Sequence, residues 1–152
     1  MSPSTTQEII QSIIQDAINK EKDARTFYRS AASLSKYPEI STLFKELAEE
    51  EAKHIKVLEE LPDPATLPES SQSLTGLKIS FNLMDRKFHK GMKYQEIMIL
   101  AIKFEENMLE FYRAWEAVDQ NLTRKKLFAY LAAEEAKHKY RLESIYDEKI
   151  LD

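Results

Sequence analysis

The stretch Leu43-Phe44-Lys45-Glu46-Leu47-Ala48-Glu49-Glu50-Glu51-Ala52-Lys53-His54 returns as Leu127-Phe128-Ala129-Tyr130-Leu131-Ala132-Ala133-Glu134-Glu135-Ala136-Lys137-His138. The offset is 84, the distance from Glu21 to Glu105, and it holds without a gap. Upstream, Ala17-Ile18, Glu21 and Phe27-Tyr28-Arg29 return as Ala101-Ile102, Glu105 and Phe111-Tyr112-Arg113; downstream, Leu58-Glu59 returns as Leu142-Glu143. A chain that carries one unit twice folds both copies alike and buries them against each other. With Gly present twice and Pro five times in 152 residues, each unit reads as a pair of long helices rather than as sheet.

The first helix is expected from about Thr6 to Leu34, with Thr5 and Glu8 at capping-box spacing, and the second from about Pro38 to Leu61, Pro38 suiting a first turn. The third runs from about Lys93 to Val118 and the fourth from about Thr123 to Lys149. Short joints within each copy make antiparallel hairpins, and residues 62–92 are the one long connection, able to run back along a bundle. The expectation is an all-α four-helix bundle in a single domain, residues 1–152, with the repeat at 9–61 and 93–145.

The repeated polar residues stand where a bundle needs apolar ones. The first seam reads Ile10, Ile14, Ala17, Glu21, Ala24, Tyr28, Ala31, and the third reads Tyr94, Met98, Ala101, Glu105, Met108, Tyr112, Trp115. The second reads Phe44, Leu47, Glu51, His54, Leu58, Leu61, and the fourth reads Phe128, Leu131, Glu135, His138, Leu142, Ile145. Every seam is broken at its middle by acid, or by acid and imidazole.

A carboxylate taken out of water costs several kcal/mol, and four gathered together also repel one another. No Lys or Arg lies on the central seam steps, and two histidines cannot balance four acids. Two divalent cations can: four positive charges meet four negative ones, and the imidazoles fill further coordination positions. Residues three apart share a helix face with a rise of about 4.5 Å, so Glu51 with His54, and Glu135 with His138, can each aim two side chains at one place.

One Glu on each of two helices and Glu-x-x-His on the other two is the pattern of ferritin-like di-iron carboxylate proteins. With Glu21-x-x-Ala24-x-x-x-Tyr28 and Glu105-x-x-Met108-x-x-x-Tyr112, the sequence resembles the rubrerythrin-like branch over nearly all of the chain outside the long connection. The resemblance implies that Glu51 and Glu135 bridge two metals, that Glu21 and Glu105 are terminal ligands, and that His54 and His138 each bind one ion. It also implies that the Tyr28 and Tyr112 hydroxyls hydrogen-bond ligand carboxylates. The implied cofactor is two iron ions, with manganese or a mixed pair as alternatives. One position departs from the pattern: rubrerythrins proper carry a further carboxylate three residues after the helix-three glutamate, and this chain has Met108 there, so the iron movement linked to that acid is not carried over.

The implied activity is that of an oxidoreductase reacting with peroxide or dioxygen, with peroxide detoxification as its outcome. The alternatives are a ferroxidase that handles iron and a metal-binding scaffold without turnover. Lacking cysteine, the chain has no thiolate metal site of its own, and electrons are expected from an external donor protein or a small reductant. The mild charge of −4, with acids and bases interspersed, points to neither nucleic acid nor a membrane surface. With a polar start from Met1 to Gln7 and no long apolar run, a soluble cytoplasmic protein, a homodimer, is expected. Glu50, Lys53, Glu134 and Lys137 fall off the seams and read as surface; Phe27, Phe111, Met98, Met108 and Trp115 read as packing, and His89, beside Lys87 and Lys90, as a surface residue.

Overall fold

A computed structural model describes residues 4–61 and 91–150. Within them the chain is all-α: α1 spans Ser4–Leu34, α2 Pro38–Glu59, α3 Tyr94–Val118 and α4 Leu122–Ile150. α1 packs along α2, α3 packs along α4, and α1 also meets α3, so two helix pairs close into a bundle. No helix among the described residues is long and apolar enough to cross a membrane. His89 and nearly all of the expected 62–92 connection lie outside the described residues.

Local chemistry sets the ends. Thr5 is already helical, so α1 starts upstream of the capping box expected at Thr5 and Glu8; Ser and Thr fit a first turn as well as a cap, and side-chain pattern fixes a helix's phase better than its first residue. α2 begins as expected with Pro38 in its first turn, Tyr37 before it being extended at φ −104° and ψ 116°. Ser41 Oγ donates to the Ala32 carbonyl at 2.7 Å and ties the two helices of the first hairpin together. At α3, Glu96 accepts from the Lys93 backbone N–H at 3.3 Å, half of a capping box. Gly91 just upstream has φ +98°, a conformation that a side chain would strain.

The α3–α4 joint is sealed more firmly. Asn121 caps α4, its Oδ1 accepting from the Arg124 N–H at 3.0 Å. Asp119 takes both a 2.7 Å and a 3.0 Å bond from the Arg124 guanidinium, and both side chains are buried.

The seams meet in the middle. Ala17, Ala24, Tyr28, Leu47, Ala101 and Leu131 are fully buried, an interior closed to water above and below the polar level. Tyr28 stacks on Phe44 at 5.9 Å and Tyr112 on Phe128 at 6.2 Å, the same contact once in each half. Met98, Met108, Phe27, Phe111 and Trp115 are buried in this core as packing residues.

Candidate metal centre

Seam periodicity puts Glu21 on α1, Glu51 and His54 on α2, Glu105 on α3, and Glu135 and His138 on α4 at one level of the interior. All four glutamates are 0% exposed, His54 1% and His138 7%, which is the burial of a core and not of a charged surface. The two imidazoles lie nearly parallel, 5.7 Å between centroids. His54 Nδ1 is 2.8 Å from Glu135 Oε1, 3.4 Å from Glu21 Oε2 and 3.9 Å from Glu51 Oε2. His138 Nδ1 is 2.9 Å from Glu51 Oε1 and 3.6 Å from both Glu105 Oε1 and Glu135 Oε2. Each histidine thus faces the Glu-x-x-His glutamate of the other half more closely than its own.

The tyrosines are crossed in the same way. Tyr28 on α1 donates to Glu105 Oε1 on α3 at 2.5 Å, and Tyr112 on α3 donates to Glu21 Oε1 on α1 at 2.7 Å. Burial, followed by the nearby carboxylates, holds both phenols well above their ordinary pKa, so they stay protonated and act as donors.

Those two bonds leave most of the donor set unanswered. Beyond the close His54–Glu135 and His138–Glu51 contacts, Glu21 Oε2, Glu51 Oε2, Glu105 Oε2, Glu135 Oε2 and Nε2 of His54 are buried without a hydrogen-bond partner. Buried polar atoms are nearly always paired, and a convergent cluster that is not needs an explanation. Electrostatics says the same. Burial raises the Glu51 carboxyl well above its usual range, the neighbouring carboxylates adding to it, and Glu105 and Glu21 are raised with burial as the largest cause. Burial alone lowers a histidine, but the facing carboxylates outweigh it and push both His54 and His138 up to about 10. Glu135 goes the other way: burial raises it, and Glu105, His138 and His54 together bring it below the usual carboxylate range. Left to itself, the cluster takes up protons to offset its own charge.

Cations answer both problems. Glu21, Glu51, His54 and Glu135 offer ligand atoms within 4.8 Å of one another, and so do Glu51, Glu105, Glu135 and His138. Donors on opposite sides of a first-row cation stand roughly 4 Å apart, twice a bond of about 2.1 Å, so each group has the reach to hold one ion. Glu51 and Glu135 belong to both groups, so each could contribute a donor to either ion. Oxygen and imidazole donors in this number suit iron or manganese.

Seam reasoning left out a neighbouring group. Glu50 and Glu134 are part-buried rather than fully exposed, and they converge with His54. A signal for this was present: Glu50 is four residues before His54, and Glu-Glu recurs as Glu134-Glu135.

The family model described as Rubrerythrin matches residues 12–146. Among solved structures, a hypothetical protein from Pyrococcus furiosus is similar, with 28% sequence identity, a TM-score of 0.67, and 89% of this chain and 86% of that one covered. No curated protein matches.

Proposed function

As the chain belongs to the rubrerythrin family, we propose that it is a di-iron carboxylate oxidoreductase that reduces hydrogen peroxide. The observation that carries the reading is the pair of buried Glu/His groups sharing Glu51 and Glu135. In this reading Glu51 and Glu135 would serve both ions, Glu21 and His54 would complete one donor set, and Glu105 and His138 would complete the other. When bound, a diferrous pair would supply the two electrons that, with two protons, convert hydrogen peroxide to two waters, and an external donor would restore them.

The protein's own part is positioning and exclusion. Tyr112 and Tyr28, as donors, fix which oxygen of Glu21 and of Glu105 is free to turn inward, and hydrogen bonds of this kind set ligand orientation and affinity. The apolar residues around them keep water out, so charges at the centre interact strongly. Met108, buried where a carboxylate would offer a further ligand, adds no charge and leaves the donor set at four acids and two imidazoles.

The test is stopped-flow reoxidation of protein loaded anaerobically with Fe(II). Peroxide is expected to oxidise the centre faster than dioxygen does, with no ferric mineral formed. Faster reaction with dioxygen and growth of mineral would move the assignment to a ferroxidase, and inertness to both would reduce the protein to a metal-binding scaffold. Elemental analysis of protein from its native host checks the metal, manganese in place of iron being the result that overturns the iron assignment.

A further inference from the structure

We propose a second, outer divalent-cation site between α2 and α4, formed by the carboxylates of Glu50 and Glu134 and by Nε2 of His54, through which ions load the buried pair. One ligand atom from each of these three residues lies within 4.8 Å of the others. Two acids at a part-open surface are ordinary, but the third member is not: His54 is 1% exposed, and its Nε2 is buried without a hydrogen-bond partner. Its Nδ1 is turned inward onto Glu135, Glu21 and Glu51, so the nitrogen left for the outer acids is Nε2. The imidazole therefore stands between an inner and an outer set of carboxylates.

Charge and access fit the role. Lys53 and Lys137 pair with Glu50 and Glu134 at 3.2 and 2.9 Å, but their side chains are 71% and 75% exposed, and such surface pairs give way to a divalent ion at little cost. Two carboxylates and one imidazole suit Fe(II), Mn(II) or Co(II). A neutral imidazole has one nitrogen lone pair, so an ion on Nε2 and an ion on Nδ1 draw on it in turn. The outer position is then a stop on the way inward, not a third resident ion. The counterpart around His138 is not formed: no group of described residues joins His138 to Glu50 and Glu134.

The outer site stands on its own three residues, while its loading role rests on the inner pair proposed above, and two measurements keep these apart. For the site, Glu51→Ala/Glu135→Ala protein, checked for helical content, is titrated with Mn(II) and read by electron paramagnetic resonance. It should bind one Mn(II) that is lost when Glu50→Gln/Glu134→Gln is added; no such ion, or one that survives the addition, overturns the site. For the role, metal-free protein with the inner residues intact is mixed with Co(II) and its visible absorption followed. Glu50→Gln/Glu134→Gln should slow incorporation by about tenfold or more, within the range that local charge adds to association, and leave the final cobalt content unchanged. Glu59→Gln/Glu143→Gln, which removes the same charge at exposed positions, should load at the parent rate. Equal rates in all three proteins would overturn the loading role even where the inner pair binds metal, and failure of the parent to take up cobalt at all would overturn the inner reading with it.

Discussion

Glu50 and Glu51 are joined by one peptide bond, as are Glu134 and Glu135, yet each pair divides between two environments. Glu51 and Glu135 are closed off from solvent and face two imidazoles and two further acids, while Glu50 and Glu134 reach solvent and pair with exposed lysines. Composition is identical on both sides of the peptide; helical phase differs by about 100°. What a glutamate can do here is decided by that angle. Facing inward, it is an expensive anion unless a cation or a proton offsets its charge; facing outward, it is a solvated group that can exchange one partner for another at little cost.

Removing the two inward glutamates should do the most damage. Glu51→Ala/Glu135→Ala should drop the metal content of purified protein from about two ions per chain to about one or fewer, because both coordination sets lose two donors at once. Glu50→Ala/Glu134→Ala should hold about two at equilibrium. Equal losses in the two proteins would show that the assignment of faces is wrong.

Next in size is removal of the metal from otherwise unchanged protein. One ion bound about a thousandfold above its dissociation constant adds roughly 4 kcal/mol, so verified demetallation should lower Tm by at least about 10 °C near neutral pH. The gap between loaded and metal-free protein should also depend on pH. Glu51, Glu105 and Glu21 are raised above the ordinary carboxylate value in the metal-free fold, and His54 and His138 are raised from 6.5 to about 10. Groups raised on folding stabilise most below their unfolded pKa and lose that contribution as pH rises toward the folded one. Metal-free protein should therefore weaken between about pH 5 and pH 10, while ions, which displace those protons, bind more tightly over the same range. Glu135, lowered instead, loses its contribution only under stronger acid and leaves this window alone. Parallel Tm curves with and without metal from pH 5 to 9 would contradict this account.

The six inward residues were legible because a seam that should be apolar is broken at the same step in both copies. Periodicity gives the face of a helix and, through the repeat, which helices are equivalent. It does not say which equivalent residue touches which. The crossed bonds, Tyr28 to Glu105 and Tyr112 to Glu21, depend on how α1 packs on α3, and nothing local in either helix encodes that. The Asp119–Arg124 clamp was hidden for another reason: five residues apart across a helix start, both look like surface charge until the joint folds over them. A seam divides residues only into inward and outward, and Glu50 and Glu134 lie on the boundary between the two.

The crossing yields the third prediction. Tyr28→Phe should weaken the ion held by Glu105 and His138, and Tyr112→Phe the ion held by Glu21 and His54, each by about tenfold, the lower end of what a hydrogen bond to a ligand contributes. Site-resolved Mössbauer spectra of protein loaded with limiting iron would check this. An effect of Tyr28→Phe on the Glu21 ion would mean that the hydroxyls act within their own half.

Changes to the outward-facing pairs should do the least. Lys53 and Lys137 sit on the same helices as the candidate ligands and bond Glu50 and Glu134, but their ammonium groups stand mostly in water, where ion pairs are screened and add little. Lys53→Ala/Lys137→Ala should leave Tm within about 1 °C of the parent and metal content unchanged. Cobalt loading should stay at the parent rate or become faster, since the double substitution removes cations that compete for Glu50 and Glu134. Slower loading would mean that the lysines help to hold the outer carboxylates in place rather than merely neutralise them.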